Sequence, residues 1–227
     1  MKIGVIGAGN MGRAIGARLS HAGHDVAFGS RKAPQAGEAA SRGSESAFAT
    51  TLDEAAQFGD VLIWTARIHD PSEMLRNAEM VTNKVIIDLN NRDYNDVRTG
   101  AWFAESIAEK LQGNFPKNIV VKAFNTIPME AFDIPRDELE NAQASTFVAG
   151  GDAEARRTVS TLAGDIGFSA VDLGGELAAM RAAEALGDAI RILLIDGGRT
   201  GSTHLTVSQL PRPSLGLVGE RQASQYG

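Results

Sequence analysis

The residues of this chain best suited to chemistry stand at the ends of short apolar runs. Gly7-Ala8-Gly9-Asn10-Met11-Gly12 follows the run Lys2 to Ile6 at once and precedes Arg13 to His21, which carries apolar residues at helical spacing. In a strand, glycine turn and helix of this kind, Gly7 permits the tight turn and Gly9 lets the backbone approach a pyrophosphate. Gly12 lets the helix pack closely on the strand, so that free N–H groups and the helix dipole face a bound phosphate. A second candidate group is Ser30-Arg31-Lys32, at the end of the next apolar run, Asp25 to Gly29. Chains that bind NAD carry an Asp or Glu about 20 residues past the glycines to hold the ribose 2′-hydroxyl. No acid stands there, and Asp25 lies at the start of its run rather than the end. A hydroxyl, a planar guanidinium and an ammonium can neutralise the 2′-phosphate that a carboxylate would repel, so NADP is the expected cofactor. The same three residues also suit a solvated basic turn.

These groups need a scaffold, and the apolar pattern supplies one. Asp60 to Trp64, Asn83 to Asp88, Ile119 to Phe124, Ser145 to Gly150 and Ser169 to Leu173 read as further strands, with Ser46 to Ala49 a short one. Between them, helices are expected over Gln35 to Arg42, from the cap Thr51 into Ala55 to Phe58, over Ser72 to Glu79 behind Pro71, over Ala101 to Leu111, over Ala153 to Ile166 behind Asp152, and over Glu176 to Ile195. Asp93 to Gly100 has turn and charge character. The long last helix would bury Leu177, Met180, Ala183, Ile190 and Leu194. Strands alternating with helices predict an α/β fold, a Rossmann-type doubly wound and mainly parallel sheet, with a small C-terminal α/β extension and a long helix. Residues 1–124 would form the dinucleotide-binding domain and residues 125–227 a smaller part for the acceptor, its helix and the tail.

Ligands of such sheets bind at the C-terminal edge, where Thr65-Ala66-Arg67-Ile68-His69 and Leu89-Asn90-Asn91-Arg92 form the loops after two central strands. Thr65 and Ala66 are thereby placed with the cofactor. Asn90 could hold the nicotinamide carboxamide, because one amide offers another both donor and acceptor; Asn90-Asn91 equally suits a plain turn. His69 is a candidate proton relay or carboxamide contact, with a surface or helix-capping role open to it. Arg67 stands near the cofactor edge and could take a phosphate or an acidic substrate.

Composition narrows the classes. The 227 residues are 43% hydrophobic and 22% charged, enough for a full core, and the net charge of -6 gives no basic footprint for nucleic acid. With no cysteine, thiolate nucleophiles and Cys-ligated zinc are excluded, and the four histidines lack metal-ligand spacing. No apolar run is long enough to span a membrane, so a soluble cytoplasmic protein is expected.

Ser30-Arg31, Lys122-Ala123-Phe124-Asn125-Thr126-Ile127-Pro128, Phe147-Val148-Ala149-Gly150-Gly151-Asp152 and Val171-Asp172-Leu173-Gly174 together resemble the family of NADP oxidoreductases dependent on the deazaflavin coenzyme F420. The likeness runs from Met1 to about Ile195 and is shared by the cytosolic domain of the ferric-reducing metalloreductases. It implies NADP contacts at Gly9, Asn10, Met11, Ser30 and Arg31, and acceptor contacts around Asn125, Thr126, Ile127 and Pro128. It also implies direct hydride passage between nicotinamide and a deazaflavin, with no side chain needed as acid or base. Ile127, Pro128 and Met129 would form an apolar wall for a flat ring, or else pack as ordinary core. The loop at Trp64 to Ile68 departs from the family in lacking a proline, and residues 197–227 match nothing assignable. The leading expectation is hydride transfer between NADP(H) and a deazaflavin or flavin acceptor, in a homodimer. An imine or carbonyl reductase and a non-catalytic NADP-sensing module are the alternatives. An open, ring-sized cleft beside Thr126 and Pro128 would favour turnover and a filled one a sensor.

Overall fold

A computed structural model describes residues 1–68, 70–100, 105–199 and 201–208. Eight strands form one sheet: β1 (Lys2–Ile6), β2 (Asp25–Gly29), β3 (Ala47–Thr50), β4 (Val61–Trp64), β5 (Val85–Asp88), β6 (Ile119–Lys122), β7 (Ser145–Ala149) and β8 (Ser169–Gly174). Their order is β3-β2-β1-β4-β5-β6-β7-β8. All neighbours run parallel except β6 and β7, which meet antiparallel at the single pair Lys122 and Ala149. The expected α/β fold is therefore present. After β3 the chain crosses back to the other side of β1, so a crevice opens where β1 and β4 end side by side, the place at which doubly wound sheets take ligands.

Eight α-helices accompany the strands among the described residues: α1 (Asn10–His21), α2 (Ala33–Ala40), α3 (Leu52–Phe58), α4 (Tyr94–Arg98), α5 (Ile107–Asn114), α6 (Arg136–Asn141), α7 (Ala153–Asp165) and α8 (Leu177–Ile195). The strands are apolar along their length because both faces are covered. Ile15, Leu19, Val159 and Leu162 pack on one face, and Leu52, Ala55, Leu111 and Ala183 on the other.

Several expectations need correction. The helix expected over Ser72 to Glu79 is replaced by two 3-10 turns, Pro71–Glu73 and Ala78–Met80. The cause is local: Asp53 Oδ1 accepts the backbone N–H of Arg76 at 2.8 Å and of Asn77 at 3.3 Å, drawing off donors a continuous helix would need. Asp93 to Gly100 is no plain turn, since Asp93 caps α4 by accepting from Asn95 N at 2.8 Å. The helix expected over Ala101 to Leu111 begins only at Ile107, behind a capping box of Ser106 and Glu109; residues 101–104 lie outside the described residues. On α8, Met180, Ala183 and Ile190 are buried as expected, but Leu177 is 58% exposed and Glu184 and Asp188 are buried in the stripe instead.

Candidate functional site

The glycine turn is built as its spacing requires. Gly7 has φ +109°, in the left-handed region that side chains avoid, and a Cβ on Gly12 would lie 2.0 Å from the Gly7 carbonyl oxygen. A Cβ on Gly9 would meet no atom within 4 Å, so the cradle above this residue is open. Gly9 precedes α1 with no side chain capping it and no acid in the first turn, which leaves the leading N–H groups for an anion. Thr65, expected beside the cofactor, donates its hydroxyl to the Gly7 carbonyl at 2.6 Å, so it braces the turn from beneath.

Over this turn lies a cavity of about 400 Å³ whose border includes Gly7, Gly9, Ser30, Arg31, Lys32 and Ala66, with Gln35, Leu52, Arg67 and Met74 among the rest. None of its lining residues is a carboxylate. The Ser30 hydroxyl donates to Gln35 at 3.2 Å and accepts from the Lys32 backbone at 3.1 Å, which fixes the turn that presents Arg31. A further basic side chain, Arg76, borders the adjoining hollow with Ser30 and Arg31. Asp53 also borders that hollow, its Oδ1 taken by the backbone N–H groups of Arg76 and Asn77. An open glycine cradle whose own cavity is cationic at its far end fits a dinucleotide carrying an extra phosphate.

Arg67 also borders a second cavity, of about 190 Å³. Met11, Thr65 and Asn90 form its side toward the glycine turn; Asn125, Ile127, Pro128 and Met129 form the far side. The fold thus unites the residues expected from two separate stretches of sequence. Thr126 is the exception: it is 1% exposed and does not border the cavity. Ile127 combines both roles left open for it, since it borders the cavity and belongs to the core. His69 lies outside the described residues. Asn10 turns its side chain to Arg13, accepting at 3.3 Å, so its backbone is what faces the turn.

Asn90 is narrower in function than its amide suggested. Its Nδ2 donates to Asp88 Oδ1 at 2.9 Å, Ala66 O at 3.1 Å and Trp64 O at 3.3 Å, leaving only Oδ1 as an acceptor for a ligand. Asn125 repeats the arrangement: Nδ2 donates to Ala183 O and Asn91 Oδ1, while its buried Oδ1 has no partner. A buried acceptor without a donor is costly unless a ligand supplies one. Between them Phe124 adopts φ +59°, its N–H held by Thr146 at 2.8 Å. Such strain in a bulky residue is concentrated at sites of function.

Beneath Asn90 sits a buried ionic cluster. Lys122 Nζ pairs with Asp88 at 2.8 Å and Glu184 at 3.3 Å and donates to the Asn90 carbonyl; all three side chains are essentially inaccessible. Burial pushes the Glu184 carboxyl up, with Lys122 pulling against it. Glu184 also accepts from Ile107 N at 2.8 Å, tying α8 to the start of α5. Gln35, Leu52, Met74 and Arg76 at one end of the crevice, and Leu89, Asn91, Phe124 and Arg191 at the other, were not singled out from sequence. Only Asn91 carried a local signal, as neighbour to Asn90 at a strand end.

Fold and site together define a Rossmann-type sheet whose crevice is shaped for a dinucleotide. Residues 2–92 match the family described as NADP oxidoreductase, coenzyme F420-dependent, as the resemblance implied. The rat (Rattus norvegicus) Metalloreductase STEAP3 is 30% identical over 186 residues, 82% of this chain and 36% of that protein. The chain spans about a third of the length of the metalloreductases it matches. Among solved structures, a proposed F420-dependent NADP reductase from Arthrobacter sp. FB24 superposes with TM-score 0.75 at 24% identity, covering 92% of this chain and all of that one. A reductive aminase from Aspergillus terreus, in complex with NADPH and ethyl levulinate, gives 0.59 at 17% identity, covering 86% and 62%. These two likenesses are of fold. Among the described residues no helix is long and apolar enough to cross a membrane.

Proposed function

We propose that this chain is an enzyme that transfers hydride between NADPH and a planar acceptor of the deazaflavin (coenzyme F420) or flavin type. The observation that carries this reading is a pair of cavities that share Arg67: an acid-free cationic one over the glycine turn and a second at the acceptor wall. Ser30, Arg31 and Lys32 hold the 2′-phosphate, which selects NADP over NAD, and the start of α1 holds the pyrophosphate. Asn90 Oδ1 accepts from the carboxamide, which fixes which face of the nicotinamide ring is presented. Bound there, NADPH supplies the hydride. Ile127, Pro128 and Met129 exclude water and seat the acceptor ring, and positioning is the larger part of what such a transfer requires. The division of labour follows: residues 1–124 hold the dinucleotide, residues 125–227 the acceptor, in a cytoplasmic homodimer.

The cleft beside Pro128 is open rather than filled, which favours turnover over sensing. Reduction of an imine or carbonyl is the second reading, supported by the fold likeness to the reductive aminase. Anaerobic NADPH oxidation followed separately with coenzyme F420, FMN, a ferric chelate and a cyclic imine decides between them. Rapid oxidation with the deazaflavin or FMN is expected. Oxidation by the imine alone moves the assignment to the second reading, and tight NADPH binding without oxidation by any of the four to a sensor.

A further inference from the structure

The second cavity has an electrostatic character that a wall for a neutral ring does not call for. Two arginines border it, Arg67 from the loop after β4 and Arg191 from α8, and none of its lining residues is a carboxylate. Arg67 makes no hydrogen bond or ion pair among the described residues. Arg191 is held firmly in place: it donates to the Arg92 carbonyl at 2.6 Å and its guanidinium lies 4.8 Å from the centre of the Tyr94 ring. Asp188, the acid that acts most on Arg191, accepts from Arg92 through Oδ2 at 2.7 Å, and its Oδ1 has no partner. Burial pulls the Arg191 guanidinium down, Asp188 opposes this, and Arg67 adds repulsion across the cavity. Arg67 is exposed and Arg191 half-buried, so their repulsion is partly screened, and an anion between them would be attracted by both. Close by, the orphaned Asn125 Oδ1 asks for a donor.

We infer that Arg191, with Arg67, is an anion anchor of the acceptor subsite, so that the acceptor taken by this chain carries a phosphate or carboxylate beside its reducible group. The inference rests on the proposed hydride transfer and names the chemical class of its second substrate. Arg191 sets which acceptor binds and where, and takes no part in the hydride step. The guanidinium is planar and forked, which suits two oxygens of one phosphate or carboxylate. The alternative source of that anion is the dinucleotide's own pyrophosphate, which Arg67 could reach because it borders both cavities. Arg191 borders only the second.

The test uses the full chain saturated with NADP+ and titrated with riboflavin and with FMN, the same ring without and with a phosphate, at low ionic strength. FMN is expected to bind about tenfold more tightly, the advantage shrinking with salt. Arg191→Met should bring FMN to the riboflavin value and Arg191→Lys should restore part of the difference, while NADPH affinity stays within about twofold. Equal binding of the two flavins by the unmodified chain, or binding of neither, overturns the inference without any variant being made. A loss of NADPH affinity in Arg191→Met with the flavin difference intact also overturns it and assigns the guanidinium to the dinucleotide. Failure of the unmodified chain to bind NADPH at all, read separately by nicotinamide fluorescence, is failure of the proposed function instead.

Discussion

Gly9 separates binding from folding more cleanly than any other residue of the site. It has φ -73°, which any residue can adopt, and a Cβ there would meet nothing in the protein. Gly9→Ala should therefore leave the melting temperature nearly unchanged while weakening NADPH by more than roughly tenfold, because the methyl group occupies the path of the pyrophosphate. Isothermal titration beside a thermal melt checks both halves. Gly12→Ala contrasts with it: the added Cβ would clash with the backbone carbonyl of Gly7 and cannot relax by a rotamer change, so it should destabilise the fold itself. At the other end of the cavity, Arg31→Asp should weaken NADPH by roughly a hundredfold and NADH by less than threefold, since only the 2′-phosphate meets the new repulsion. Equal loss for both cofactors would remove Arg31 from the 2′-phosphate site.

Between residue and fold, α5 and α8 show how charge holds the acceptor side together. Glu109 accepts from Arg181 Nη2 at 2.8 Å and Nε at 3.0 Å and from Ser106 N at 2.7 Å. The hydrogen bond from Arg181 is the largest influence holding its carboxyl down, from the ordinary 4.5 to about 2. A carboxyl whose folded value lies below its unfolded value stabilises the fold fully above the unfolded value and loses that contribution as pH falls toward the folded one. Stability should accordingly drop between about pH 4.5 and pH 2, and Glu109→Gln should flatten that part of the slope. Urea denaturation at a series of pH values measures it. Ser106→Ala, which removes the other half of the capping box, should cost about 1 kcal/mol at neutral pH.

At the scale of the molecule, the outer surface of α8 bears on assembly. Ile192, Leu193 and Ile195 are exposed at its end, with Leu177 exposed at its start. If the proposed homodimer uses this helix, Ile195→Asp should shift the sedimenting species from dimer to monomer while leaving the fold intact, because the residue contributes nothing to the core. An unchanged sedimentation coefficient would place the contact elsewhere or leave the chain monomeric.

What the amino-acid sequence determined by itself was what local chemistry dictates. The strand, glycine turn and helix from Lys2 to His21, the absence of an acid after β2, the capping of α3 by Thr51 and of α7 by Asp152, and the buried apolar strands all depend on neighbours within a few residues. Local signals failed where a distant group intervened. Asp53 drew N–H groups out of the helix expected after Pro71, and Glu184 and Asp188 took buried places on α8 because Lys122 and Arg92 waited there to pair with them. Only the tertiary structure decided that Asn90 offers its oxygen alone, that Thr126 is buried without bordering the cavity and that Arg191 borders the same space as Arg67. The reason is physical: donor saturation, burial and the meeting of like charges are properties of packed neighbours, and those neighbours lie as far apart in sequence as β4 and α8.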